Sequence, residues 1–333
     1  MSGTTAARHS RDLAFGNIYS DSKGPGAAIV YPAALMSVVE FGTTLAGAFE
    51  VGVLISYVLF GVTTLQTYIY FTRFADDRRA LKYLVAVVWV LELAHTVCVG
   101  QALYAMTVTY YGHPDHLVRA PASLAVAMIL ASFVAPCVQS FFAHRIYRLS
   151  SGRYRWPIPV LCWVLSFVRL GATVATSVEA YESASIADFE ESWAGLVLSV
   201  WVVGAVNDVL IAGTLVWLFA RRRSEELPKR TRSLRMVDKL IVWTLETGVM
   251  TSIAAVLTMI CFLTLKTNYV WLAWCVVTMR LFSNALLASL NSRVTLRAMT
   301  EGGHIPSSLR FSIAFVEGPV AADVEAQSKV SSV

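Results

Sequence analysis

The sequence predicts an all-α polytopic membrane protein, a bundle of seven transmembrane helices with its N-terminus outside and its C-terminus in the cytosol. Three observations predict it. Of 333 residues, 56% are apolar and only 15% charged, against about 25% charged in a soluble domain. The apolar residues fall in seven runs, each long enough to cross about 30 Å of hydrocarbon at roughly 1.5 Å per helical residue. The polar connections between them alternate between strongly basic and nearly uncharged or acidic.

Residues 1–44 are expected to form an extracellular segment, with no removable signal peptide because no short apolar stretch there ends in a cleavage-like site. Residues 45–297 are expected to hold the transmembrane domain. Its spans run from about Leu45 to Phe71, Leu81 to Tyr104, Ala122 to Ile146, Pro157 to Val178, Trp193 to Ala220, Leu240 to Leu265 and Tyr269 to Leu290. Pro157 suits a helix start, where a missing backbone donor costs least. Residues 298–333 read as a flexible cytosolic tail with one modest apolar run, Phe311 to Val316.

Orientation comes from the positive-inside rule. The first, third and fifth connections and the tail collect 20 Lys and Arg residues, eight of them between Arg221 and Lys239. The opposite side holds five, namely Arg8, Arg11, Lys23, Arg119 and Lys266, and its loop from Glu179 to Glu191 is acidic. Lys and Arg clustered between apolar runs report topology, so the formal charge of +5 does not point to nucleic acid. Trp156, Trp193, Trp243, Tyr269 and Trp271 near span ends fit an interfacial aromatic belt. Cys98, Cys137, Cys162, Cys261 and Cys275 all lie in or beside apolar runs, which leaves no exofacial pair for a disulfide.

A charge at mid-membrane costs at least about 2.5 kcal/mol, so the ionisable residues within the runs carry information. There are six: Glu92, His95, Arg169, Asp208, Glu246 and Arg280. Counting from the cytoplasmic span ends puts Glu92, Arg169, Asp208 and Arg280 at about 15 to 20 Å depth and Glu246 at about 11 Å. Two acids and two guanidiniums in one layer offset each other's desolvation. With sequential helices arranged in a ring, Glu92 is expected to pair with Arg280 and Asp208 with Arg169. Asn207, Ser166, Thr173 and Asn284 are expected to complete the hydrogen bonding, while Glu246 either is protonated or faces cytosolic water. The bland alternative is that this polar cluster only holds the bundle together.

Several motifs carry a family resemblance. They are Gly61 with Leu65-Gln66-Thr67-Tyr68 in the first span, Trp89 through Glu92 to His95 in the second, and Thr244, Glu246, Thr247, Gly248, Thr251 and Ser252 in the sixth. The most specific is the run from Phe282 to Arg293 that closes the seventh span. Over about residues 45 to 297 the chain resembles a fungal family of seven-span membrane proteins, domain of unknown function 6534. Glu92 and Phe282 stand where the resemblance implies aspartate and tyrosine. It implies a fold and a membrane address but no catalytic residue. In the closing run, Ser283, Ala285, Ala288, Ser289 and Ser292 permit close helix approach. Asn284 and Asn291, seven residues apart, share a helix face.

Three function classes follow. Seven spans with an outside N-terminus and a long basic third cytoplasmic loop suggest a receptor-like protein of the plasma membrane. The third span nevertheless ends in His144-Arg145-Ile146-Tyr147, the sixth lacks a proline, and the seventh lacks Asn-Pro-x-x-Tyr, so rhodopsin-class membership is not expected. Retinal would need a deep lysine, whereas Lys82, Lys239 and Lys266 sit at span ends. A transporter or channel is supported by the charge layer and weakened by the lack of an internal repeat. A structural membrane protein is the third class. An intramembrane zinc site needs about three ligands, and His95 is the only deep histidine; His113 and His116 in an external loop are a weaker metal candidate. Neither cofactor nor enzymatic activity is expected. The partners expected are membrane lipids, with anionic headgroups or a cytosolic protein at residues 221–239, and an unidentified small molecule.

Overall fold

The computed structural model describes residues 33–111, 119–152, 155–226, 231–265 and 270–301. Side chains within 33–46, 223–247 and 294–301 lie outside the description, as do Trp243, Glu246, Lys266, Tyr269, His113, His116 and the tail. The chain divides into Met1–Glu40 and Phe41–Val333; the second unit contains the bundle.

The described residues form seven long helices and no strand. We number them α1 (Ala33–Arg73), α2 (Arg79–Tyr104), α3 (Ala122–Leu149), α4 (Pro157–Glu182), α5 (Ile186–Glu226), α6 (Thr231–Thr264) and α7 (Val270–Glu301). Six of them are long and apolar enough to cross a membrane; in α6 the described apolar stretch is Gly248–Thr264. This is a multi-pass, all-helical membrane protein. A continuous helix suits hydrocarbon because each backbone group is satisfied within its own segment.

The helices are longer than their apolar runs. α2 continues past Tyr104 through a π turn, Ala105–Thr109. The expected acidic loop from Glu179 to Glu191 is helical except for residues 183–185, and of the expected long loop from Arg221 to Lys239, residues 221–226 belong to α5 and 231–239 to α6. Polarity marks where a chain leaves lipid, but backbone hydrogen bonding carries the helix beyond that point. Pro157 does open α4, as its lack of an N–H favours.

A simple ring gives way to a bundle with a middle. α3 packs against α2, α4, α5 and α7, while α7 packs against α2, α3 and α6. In α1 the buried positions Phe49, Gly52, Val53, Ser56, Thr63, Gln66, Thr67 and Tyr70 repeat at helical spacing, and that stripe meets α7. Asn284 Nδ2 donates to the Leu59 carbonyl at 3.3 Å, and Asn291 Nδ2 to the Gln66 carbonyl at 2.8 Å. Both partners advance by seven residues together, so α1 and α7 run parallel. At Gly52 the helices approach closely enough that a Cβ would lie 2.7 Å from Ala273 Cα. Gly248 plays the same part between α5 and α6, facing Ala212.

Arg293, the last residue of the closing run, grips Asp77 in the α1–α2 turn through two bonds of 2.6 and 3.1 Å. Its guanidinium also lies 4.2 Å from the Phe74 ring centre. Arg145 Nη1 donates to Ser289 at 3.1 Å, so this serine is more than a packing residue. Trp271 stands inside the bundle rather than in an interfacial belt. It is 8% exposed, and its indole N–H donates to Glu190 at 2.8 Å. Trp156 is exposed beside Tyr147. All five cysteines are free.

Candidate functional site

The two intramembrane arginines reach opposite outcomes. Arg280 is fully buried and fully engaged: Nη1 pairs with the Glu92 carboxylate, Nε donates to Ser56 Oγ at 2.8 Å and Nη2 to Thr96 Oγ1 at 2.8 Å. Nη1 also reaches the Glu92 carbonyl at 3.1 Å. Every arm of the guanidinium is used by α1 or α2, which makes this cluster a clasp joining three helices. Asn284, one turn on, caps the Arg280 carbonyl at 2.8 Å. His95 is buried on α2, and its Nε2 has no partner among the described residues.

Asp208 and Arg169 do not form the expected ion pair; no nitrogen of Arg169 comes within 4.0 Å of that carboxylate. A neutral side chain intervenes. Gln139 of α3 donates to Asp208 Oδ1 at 2.8 Å and accepts from Ser166 at 2.7 Å. Asn207 donates to Ser166 at 3.0 Å. The four residues form a continuous network across α3, α4 and α5, and an amide can bridge them because it donates and accepts at once. Gln139 carries no charge, so a search for ionisable residues passes over it; its signal was an amide in the middle of an apolar run.

Arg169 is left with its Nη1 unpartnered among the described residues, although the side chain is only 9% exposed. The guanidinium lies against Gly204 of α5, where a Cβ would sit 2.8 Å from Cζ, and 5.4 Å from the Phe282 ring centre. From Arg169, residues Thr173, Thr176, Ser177 and Ala180 follow at helical spacing along one face of α4. That face borders a partly open cavity of about 110 Å³ lined by α3, α4, α5 and α7. Its other walls are mainly apolar, with Leu124, Met128, Phe189, Val197, Trp201 and Leu272 among them. Beside it Phe262 meets Trp201 and Trp271 edge to face at 5.2 and 5.3 Å, and the two indoles lie tilted to each other at 6.1 Å. The hydroxyls of Thr173, Thr176 and Ser177 all donate to carbonyls of their own helix.

Two smaller spaces continue toward the other end of the bundle. One of about 20 Å³ shares Arg169, Trp201 and Cys275 with the large cavity. Another of about 40 Å³ shares Asp208, Thr251 and Phe282 with that one and touches Gln139. Among the described residues no three His, Cys, Asp or Glu side chains are grouped as a metal site. The arrangement therefore sets at one end of an apolar cavity a guanidinium that feels the Asp208 charge at a distance but makes no ion pair among the described residues. Of the eight residues singled out in the sequence, Glu92, Arg280 and Asn284 belong to the α1–α2–α7 clasp, Asn207 and Asp208 to the Gln139 network, Arg169 to the cavity, and His95 is buried on α2 in none of these groups. The Glu246 side chain lies outside the described residues.

Residues 204–295 match the model of a family of unknown function, DUF6534. This is the family that the closing run resembles. The DUF6534 match begins at the glycine beneath the Arg169 guanidinium and takes in Asn207, Asp208, Arg280 and Asn284. The first- and second-span motifs lie outside it. No curated protein matches the chain.

Proposed function

We propose that this chain is a seven-span receptor-like protein of the plasma membrane, N-terminus outside and C-terminus cytosolic, that senses a small molecule bound in the Arg169 cavity and performs no catalysis. One observation carries the reading: Arg169, whose buried Nη1 has no hydrogen-bond partner among the described residues, lines a cavity assembled from four helices. Leaving such a group unpaired costs free energy, and a ligand that pairs it recovers that cost only when bound. Placement supports the orientation as well. The cavity extends toward Ile186 and Phe189 beside the α4–α5 turn, whereas Arg145, Arg222 and Arg293 gather at the opposite, basic end. In this orientation the site opens outward, and the basic stretch 221–239 meets anionic lipid headgroups or a cytosolic protein.

Cys275 provides the test. It lines the cavity and is 8% exposed, so in a variant retaining this cysteine alone a small membrane-permeant maleimide is expected to label it slowly in the folded protein. Total inertness of Cys275 would mean a closed space and would remove the ligand-site reading. Epitope tags at the two ends should appear on opposite faces of intact cells. Transport is the second reading, favoured by the two further spaces leading from Arg169 to Asp208. Uptake of a labelled solute by proteoliposomes, abolished in Asp208→Asn, would decide for it.

A further inference from the structure

The geometry points to a single-chain carboxylic acid as the ligand of the Arg169 cavity, an inference that rests on reading that cavity as a ligand site. Charge argues first. Among the described residues Arg169 Nη1 has no hydrogen-bond partner, and Asp208, whose charge reaches the guanidinium without an ion-pair contact, is hydrogen-bonded by Gln139. An anion entering from the α4–α5 end passes the hydroxyls of Thr173, Thr176 and Ser177, and the guanidinium is the cation it then meets among the described lining residues. A guanidinium is a planar fork that matches a carboxylate through two parallel bonds, and one monoanion neutralises one guanidinium. Among the described residues no second Lys or Arg lines the space, so a phosphate monoester would bring a charge with no counterpart there.

Shape argues next. The lining along α4 runs from Arg169 to Ala180, which is about 16 Å of helix. Spread over that length, about 110 Å³ describes a narrow space. A long, thin space takes an unbranched chain in preference to a ring. Thr173, Thr176 and Ser177 satisfy their donors within α4, so they ask nothing of the chain lying over them, and Leu124, Met128 and Val197 offer it apolar contact. The carboxylate sits on Arg169 at the floor, with the alkyl chain rising toward Phe189.

The probe is decanoate, compared with decanol, decyl phosphate and phosphatidylserine, on full-length protein in phosphatidylcholine nanodiscs. Maleimide labelling of Cys275 is the readout. Decanoate is expected to slow labelling by about tenfold or more, the scale of a charge-assisted hydrogen-bond pair. Decanol, decyl phosphate and the two-chain phosphatidylserine are expected to have little effect. Arg169→Gln should still be labelled, which reports a folded cavity, and should lose the response to decanoate. Val197→Trp, which fills the chain's path without touching Arg169, should lose it too and serves where Arg169→Gln does not fold. Equal protection by decanol and decanoate that survives Arg169→Gln overturns the carboxylate inference and leaves the ligand site standing. Stronger protection by decyl phosphate or phosphatidylserine overturns it in favour of a phosphate or a lipid headgroup. If Cys275 reacts freely and none of the four compounds protects it, the ligand-site reading falls and this inference with it.

Discussion

Replacing Arg280 by Met is expected to abolish most accumulation of folded protein, and adding Glu92→Met should restore a large part of it. The single change strands the Glu92 carboxylate, 1% exposed, without its cation, and also removes the donors to Ser56 and Thr96. Breaking a buried pair from one side costs about 3 to 5 kcal/mol, whereas replacing both partners by apolar groups is often nearly neutral. The double variant still leaves two hydroxyls, and a threonine can satisfy its own donor on the preceding turn, as Thr96 already does at 2.7 Å to the Glu92 carbonyl. Yield of monodisperse protein in detergent and the midpoint of its thermal unfolding measure the outcome. A double variant no better than the single would show that the pair is not what couples α2 to α7.

The second large effect is expected at Gly52. A Cβ at this position would stand 2.7 Å from both Cα and Cβ of Ala273 and 3.0 Å from its carbonyl oxygen. Two of these three are backbone atoms, so α1 and α7 must separate along a seam that also carries the Asn284 and Asn291 bonds. Gly52→Val should destabilise the bundle by about 3 kcal/mol, at the upper end of core overpacking. Gly61 is the control: nothing lies within 4 Å of a Cβ there, and Gly61→Val should stay within about 0.5 kcal/mol. Comparable unfolding midpoints for the two variants would contradict the close packing of α1 on α7. The contrast also bears on the family motif, since Gly61 belongs to the resemblance and Gly52 does not, yet Gly52 has the tighter surroundings.

Pairing was partly legible from residue positions. Glu92 with Arg280 followed from depth and from the proximity of the second and seventh spans, and the contact is present. The same reasoning applied to Asp208 and Arg169 fails because Gln139, an uncharged side chain from the third span, occupies the carboxylate first. A sequential ring sets the third span beside the second and fourth but not the fifth, whereas in the bundle α3 touches four helices, α5 among them, and brings Gln139 to Asp208. Aromatic residues near span ends misled in a related way. Trp271 lies one residue into α7 and reads as an anchor, but Glu190 near the start of α5 gives its indole N–H a partner inside the bundle.

By itself the sequence determined the helical membrane class, the order of the apolar segments and the depth of each intramembrane charge. These are one-dimensional quantities, set by transfer free energy and the 1.5 Å helical rise. Only the tertiary structure decided that Arg280 is closed off while Arg169 remains open. Partner choice depends on the rotation of each helix about its axis and on which neighbour arrives first. The cavity is the space left among side chains of four helices, so no single segment encodes it.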